Sequence, residues 1–236
     1  MITVEINQGV GLGNRLRILF TYYKYARSID SELTVIWSNH FACPGNFTDF
    51  FETMPHTTFV RKTNYYDKID FTGKNLEPDE DFIDDPNLYD TLKLNHRTLN
   101  IIKRTLKTLD KKNYTAVHVR RTDHLVCAKK AGQYTDDKEF IDYLDTQKNT
   151  DFYIATDNEA TFIMFKEKYP DNIKSIQYHM SQRHPITGSA RHTGLRDAIV
   201  DMYMCILATN FKGSGWSSFT EVIQAKRDEK ATIATV

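Results

Sequence analysis

The most constraining feature of this chain is a repeated alternation of short apolar runs with segments of helical period. In the second half the alternation is regular. Tyr114–Val119, Phe152–Ala155, Ile173–Ile176 and Thr209–Lys212 read as strands, and Asp136–Leu144, Glu159–Tyr169, Leu195–Leu207 and Ser218–Ala225 as helices. Strands separated by helical patterns of about 10–15 residues build βαβ units, and hence parallel sheets covered by helices. The first half follows the same rule more loosely. Thr3–Ile6 reads as a strand and is followed by a glycine turn, Gly9-Val10-Gly11-Leu12-Gly13. A helix from about Asn14 then carries Leu16, Leu19, Phe20, Tyr23 and Ala26 or Arg27 at helical spacing. Leu33–Trp37 is the next strand and Thr58–Val60 a weaker third. Residues 61–93, polar and acidic with Pro78 and Pro86, read as loop or irregular structure. A helix from about Leu94 to Leu109 carries Leu99, Ile102, Leu106 and Leu109 on one face, and Lys111 and Lys112 suit its C-terminal end. The expectation is an α/β chain in two halves, 1–112 and 113–236, hinged near that helix with a cleft between them.

Composition narrows the partners. The 236 residues, 40% of them hydrophobic, suffice for one large domain or two small ones. Lys plus Arg and Asp plus Glu both total 31, so the net charge is zero. A polyanion reader carries an excess of Lys and Arg, so no nucleic-acid partner is expected. Cys43, Cys127 and Cys205 are far apart and odd in number, which indicates neither a disulfide framework nor a zinc knuckle. No apolar run approaches the roughly 18 residues of a membrane span. Met1-Ile2-Thr3-Val4-Glu5-Ile6 lacks the basic start and long apolar core of a signal peptide. A soluble protein of a reducing compartment, such as the cytoplasm, is expected.

The segment richest in chemistry is Ala116-Val117-His118-Val119-Arg120-Arg121-Thr122-Asp123-His124. An apolar strand runs directly into two arginines, an aspartate and a histidine. Ligands of open α/β sheets bind outside the carboxyl ends of strands, where this cluster falls. Two arginines there can present planar donor forks to a pyrophosphate, with Asp123 holding one guanidinium in place. The plain alternative is an Arg–Asp surface pair. The density of ionisable side chains favours a site.

Other motifs are less specific. The glycine turn fails the G-x-G-x-x-G count, because the third position is Asn14 or Leu16, and it lacks the Lys-Ser/Thr of a P-loop. It reads as a close-approach turn, with a tight structural turn as the alternative. Asp79-Glu80-Asp81 matches the Asp-x-Asp of metal-dependent glycosyltransferases, but no apolar strand leads into it, and a solvated acidic loop is the better reading. Trp37 and Trp216 can stack on sugar, although packing is the commoner role of such side chains.

His-Val-Arg-Arg-Thr-Asp resembles the signature of the superfamily of α1,6-/α1,2-fucosyltransferases and protein O-fucosyltransferases, in particular the core α1,6 and bacterial nodulation enzymes. Further segments resemble that family in the same order. Gly11-Leu12-Gly13-Asn14 is similar to its glycine turn and Tyr153-Ile154-Ala155-Thr156-Asp157-Asn158 to its strand ending in Thr-Asp-Asp. Gly194-Leu195-Arg196-Asp197-Ala198-Ile199-Val200-Asp201-Met202 is similar to its helix with an internal aspartate, and Gly213-Ser214-Gly215-Trp216-Ser217-Ser218-Phe219 to its terminal serine motif. The resemblance spans about 113–225 and the first 40 residues, and is absent between 60 and 93.

It implies a GT-B architecture, two Rossmann-like halves with the donor held mainly by the second, and inverting transfer of fucose from GDP-fucose to a glycan without a metal ion or other cofactor. It implies that His118 and Asp201 contact guanine, that Arg120 (with Arg121) meets the diphosphate, and that Ser217 and Ser218 take its phosphate end. Asp157 would line the cleft near the donor, beside Asp123, with Gly11, Gly13 and Asn14 at the glycine turn. A carboxylate can accept from guanine's adjacent ring N–H and amine together, which uracil and adenine cannot copy. Without the family, Asp201 reads as a solvated helical acid beside the stripe Leu195, Ile199, Met202 and Ile206, and Ser218 with Glu221 as a capping box. Core α1,6 enzymes carry a lysine after the Arg-Arg-Thr-Asp and a glutamate four residues later, implicated in deprotonating the acceptor. Here those places hold His124 and Ala128. With an ordinary pKa of about 6.5, His124 is the expected base, with Asp157 and Asp123 as alternatives. Rival readings are a transferase of another GDP-sugar such as GDP-mannose, a non-catalytic nucleotide-sugar or glycan-binding module, and a Rossmann-type oxidoreductase. The family's animal members carry an anchor, a coiled coil and an SH3-like module, which suggests a minimal form of the kind bacteria or large viruses encode.

Overall fold

The computed structural model describes residues 1–6, 11–38, 43–61, 91–109, 113–122, 125–174 and 194–233. The chain divides into two units, Met1–Leu99 with Gln224–Val236, and Asn100–Ile223. The alternation of elements alone suggests a division at 112/113.

In the first unit, β1 (Ile2–Ile6), β2 (Leu33–Trp37) and β3 (Thr57–Arg61) form a parallel sheet in the order β1-β2-β3, with Val4 opposite Val35 and Val35 opposite Phe59. Helix α1 (Leu12–Ser28) begins two residues before the expected start, with Gly11 as its N-cap. It buries Leu16, Leu19, Phe20, Tyr23 and Ala26, the stripe its period requires. Trp37 is buried against Phe47, under the Arg15 guanidinium, so its role is packing. Helix α2 (His96–Leu106) is shorter than expected and turned. Thr98 and Ile102 are buried, whereas Leu99 is 37% exposed and so does not join the buried face. Lys111 and Lys112 lie outside the described residues.

The second unit is the more regular. Strands β4 (Tyr114–Val119), β5 (Asp151–Thr156) and β6 (Asn210–Gly213) form a parallel sheet in the order β5-β4-β6. Val117 stands opposite Ile154 on one side and Lys212 on the other. A short helix that the pattern did not announce, α3 (Leu125–Lys130), precedes α4 (Asp137–Asp145). Asp136 caps α4 through the Glu139 amide at 2.8 Å, and Asn158 caps α5 (Glu159–Lys168) through the Thr161 amide at 2.9 Å. The expected strand at 173–176 reduces to one parallel bridge between Ile173 and Phe152, with 175–176 outside the described residues. Helix α6 (Leu195–Leu207) and the start of α7 (Ser218–Ile233), up to Ile223, complete the unit's elements, and α7 runs eight residues beyond its expected end at Ala225.

Strand side chains alternate between faces. On one face Val117, Val119, Phe152 and Ile154 join Phe140, Leu144, Phe165, Tyr169 and Ile173 in a closed apolar cluster under α4 and α5. Each large apolar side chain there contributes about 1.5–3 kcal/mol of burial free energy. The other face, under α6 and α7, holds Tyr114, His118 and Tyr153. Their polar atoms reach the Met204 carbonyl at 2.6 Å, Thr220 at 2.9 Å and Asp201 at 2.7 Å.

Candidate functional site

The chain passes from β4 to β5 on one side and later to β6 on the other, so β4 ends at a switch point of the sheet. Loops leave in opposite directions there and open a crevice at the carboxyl end, the usual place for ligands of such sheets. Alternation continues past the strand and separates the two arginines. Arg121 follows Val117 and Val119 onto the apolar side. Its Nε and Nη2 donate to Oδ1 of Asp137 at 3.0 and 2.7 Å, and its Nη1 donates to the Arg120 carbonyl at 2.9 Å. The guanidinium lies 5.2 Å from the Tyr134 ring and 5.6 Å from that of Phe140, and the side chain is 8% exposed. With its donors and its faces engaged, Arg121 is a strut between β4 and α4 rather than an equal partner in a pair.

Arg120 follows His118. Its Nε lies 3.0 Å from Oδ2 of Asp157, and its amide donates to the Ser214 hydroxyl at 2.9 Å. Asp157 is buried and anchors three groups. Beside Arg120, it accepts from the Arg121 amide at 2.9 Å and from the Thr122 hydroxyl. The restraint expected of Asp123 thus falls to Asp157 for Arg120 and to Asp137 for Arg121. Asp123 and His124 themselves lie outside the described residues. Arg120 and Arg121 line a small recess with Leu125, Ala128, Tyr134, Thr135, Ser214 and Gly215.

The Gly213-Ser214-Gly215 turn closes the site from the β6 side. The Ser214 amide and hydroxyl both donate to the His118 carbonyl, at 2.9 and 3.1 Å, which splices the ends of β4 and β6. A Cβ at Gly213 would collide with the Thr220 side chain, and one at Gly215 with the Gln133 carbonyl, so both positions need glycine for close approach. Trp216 follows with φ 51°, an uncommon conformation for a bulky residue, and is 46% exposed. The N-cap of α7 is Ser217, whose hydroxyl takes the Thr220 amide in a long 3.4 Å contact, so capping belongs to Ser217 and not to Ser218. Ser217 is buried, and Ser218 opens the first turn, whose N–H groups suit a phosphate.

Two buried polar side chains stand on the α6–α7 face. His118 is 5% exposed, with Nδ1 2.9 Å from the Thr220 hydroxyl and its ring 4.8 Å from that of Phe219. Its pKa is lowered from 6.5 to about 3, first by burial and then by Arg120, with Arg121 adding to the shift and Asp157 opposing it. The ring is therefore neutral at physiological pH. Asp201 is also 5% exposed and accepts from the Tyr153 hydroxyl at 2.7 Å, so it is not a solvated helical acid. Helix α6 buries Leu195, Ile199, Val200, Met202, Met204, Cys205 and Ile206 around it, and a narrow strip of Arg196, Tyr203 and Leu207 faces solvent. Gly11, Gly13 and Asn14 belong to the first unit, as the N-cap and first turn of α1, with Asn14 exposed. Asp79-Glu80-Asp81 lies outside the described residues, among which no three His, Cys, Asp or Glu side chains gather as an ion site. Among the same residues no helix is long and apolar enough to cross a membrane. Thr220 and Asp137 fall outside the resembling motifs, and Tyr153, Ser214 and Thr122 lie within them without an assigned role.

No protein-family model and no curated protein matches the sequence. Solved structures do match in fold. A NodZ α-1,6-fucosyltransferase soaked with GDP-fucose aligns with a TM-score of 0.58 at 15% identity, over 95% of this chain and 91% of that one. Fucosyltransferase NodZ from Bradyrhizobium aligns at 0.61 and 13% identity, over 94% and 91%. POFUT1 in complex with GDP-fucose aligns at 0.67 and 11% identity, over 96% and 94%. The chain has the α/β fold of these GT-B fucosyltransferases, with its parallel sheets and its polar switch-point strand.

Proposed function

We propose that this chain is a glycosyltransferase that transfers fucose from GDP-fucose to a glycan, with inversion and without a metal ion. The observation that carries the reading is Arg120, held by the buried Asp157 at the switch point of a sheet whose same face buries a neutral His118 and Asp201. Structures of the same fold, NodZ and POFUT1, have been determined with GDP-fucose.

In the proposed reaction the acceptor hydroxyl attacks the anomeric carbon from the face opposite the diphosphate. The bond from that carbon to the diphosphate oxygen breaks, GDP leaves with the bonding pair, and the hydroxyl proton passes to a base. Negative charge grows on the diphosphate as the sugar departs. A preorganised guanidinium there is worth about 2.7–4 kcal/mol of barrier, and Asp157 supplies the preorganisation. With Arg120, the Arg121 amide and the Thr122 hydroxyl on its oxygens, Asp157 serves as an anchor better than as a proton acceptor. His124, next to the recess-lining Leu125 in sequence, remains the proposed base, with Asp123 as the alternative. Ser217, Ser218 and the first turn of α7 would take the phosphates, and Asp201 the guanine N–H groups.

A thermal-shift panel of GDP, GDP-fucose, GDP-mannose, UDP and ADP, with and without EDTA, tests the reading. GDP and GDP-fucose should stabilise the protein strongly, UDP and ADP hardly at all, and EDTA should change nothing. Equal shifts from GDP and UDP overturn the guanine site. A shift that EDTA abolishes and manganese restores overturns metal independence, and a GDP-mannose shift far above that of GDP-fucose overturns the donor sugar.

A further inference from the structure

We propose that the Thr220 hydroxyl donates to Nδ1 of His118 and so fixes the ring proton on Nε2, where it is available to the guanine carbonyl that the GDP reading brings to this ring. The inference rests on the GDP reading of the site and makes Thr220 a positioning residue for base choice.

The case begins with where a helical threonine places its proton. In the interior of α1 and α2 two threonine hydroxyls donate to the carbonyl four residues back, Thr21 to Arg17 at 3.0 Å and Thr105 to Ile101 at 3.1 Å. Thr220 is the third residue of α7, so the residue four back, Trp216, precedes the helix. The Ser217 carbonyl already accepts the Glu221 amide at 3.0 Å. The Thr220 hydroxyl instead lies 2.9 Å from Nδ1 of His118. A neutral imidazole donates from one nitrogen and accepts at the other, and burial between cationic neighbours keeps this ring neutral. If Nδ1 carried the proton, the hydroxyl would accept it, and its own hydrogen would find no acceptor among the described residues. If the hydroxyl donates, both groups are satisfied and Nε2 carries the proton.

Thr220 is well placed to impose that choice. Its side chain packs where Gly213 has no Cβ, and its amide turns to the Ser217 hydroxyl. Among the described residues no side chain bonds Nε2, and that nitrogen is not one of the sealed unpartnered polar atoms, so its N–H is open to a ligand. Asp201, an acceptor, is held on the same sheet face by Tyr153, which stands two register positions from His118 on the neighbouring strand, about 8 Å away. One donor and one carboxylate acceptor match the guanine edge, a carbonyl next to a ring N–H. Adenine presents the reverse, an amine next to an unprotonated nitrogen, and meets donor with donor.

The test uses the full chain. Ring ¹⁵N shifts of His118 in the unliganded protein should report Nε2 protonated and Nδ1 bare, and a ring protonated at Nδ1 overturns the inference. Affinities for GDP, IDP and ADP are then measured on Thr220→Val and Thr220→Ser. Val should weaken GDP and IDP by the same factor, about tenfold, because both carry the carbonyl, and should leave ADP as weak as before. Ser should restore both. A loss confined to GDP, or a Ser variant as poor as Val, overturns the inference. Wild-type protein binding GDP and ADP alike overturns the donor reading instead, while the ring assignment stands on its own spectrum.

Discussion

The two faces of the β5-β4-β6 sheet are built from the same strands and do different work. One face meets α4 and α5 through Val117, Val119, Phe152, Ile154, Phe140 and Phe165, side chains that bury without leaving a polar atom to satisfy. The other places Tyr114, His118 and Tyr153 under α6 and α7, where the two tyrosine hydroxyls and Nδ1 of His118 each need a partner and find one. An unpaired buried polar group costs about 1–3 kcal/mol, so stability alone would favour two faces like the first. The difference teaches where function resides. It also divides the adjacent arginines, since Arg121 extends the apolar face as a strut and Arg120 extends the polar one into the site.

That division can be broken by mutation. The largest effect is expected on the apolar face, where Phe140→Ala should cost about 3–5 kcal/mol of stability. The folded fraction should keep its preference for GDP over UDP. Denaturant titration with nucleotide binding checks both, and a lost preference at unchanged stability would mean that the faces are not separate. Next come the arginines. Arg120→Ala should lower turnover by about 10²–10³, and Arg120→Lys should recover little, since a point charge does not reproduce a planar fork. Arg121→Ala should register chiefly as a lower denaturation midpoint. Steady-state rates beside melting curves decide, and an exchange of those outcomes would reverse the assignment.

The most gradual effect is a pH dependence. The His118 pKa is depressed from 6.5 to about 3 in the folded chain. Above about pH 6.5 both states leave the ring neutral, and its contribution to stability is fully present. As pH falls toward 3, the unfolded chain takes a proton that the folded one refuses. Stability then drops by up to about 1.4 kcal/mol per unit, and below about 3 the loss stops growing. Denaturation midpoints of wild type and His118→Gln between pH 7 and 4 should converge, and parallel curves would show that the folded ring takes its proton as readily as the unfolded one.

Much of this architecture was legible in residue patterns. The parallel β4–β5 pair, the buried stripe of α1 and the crowding of Arg120 and Arg121 at a strand end all follow from local period. The exposure of Leu99 and the N-cap at Ser217 rather than Ser218 did not follow, because each turns on a single position that periodicity leaves open. Asp201 was misread without the family for a related reason. The pattern shows one apolar stripe, but α6 is buried on nearly all sides, and an acid beside the stripe becomes an acid in the interior.

By itself the sequence determined the βαβ alternation, the parity that assigns each strand residue to a face, and the polar cluster that ends β4, since all three are set by neighbours a few residues away. Tertiary structure alone decided which partners those residues meet. His118 meets Thr220 across 102 positions and Tyr153 meets Asp201 across 48. Those meetings depend on β5 and β6 flanking β4 on opposite sides, an order that no local propensity encodes. It is settled by the burial of whole faces, and with it the place where two polar side chains are held in the interior.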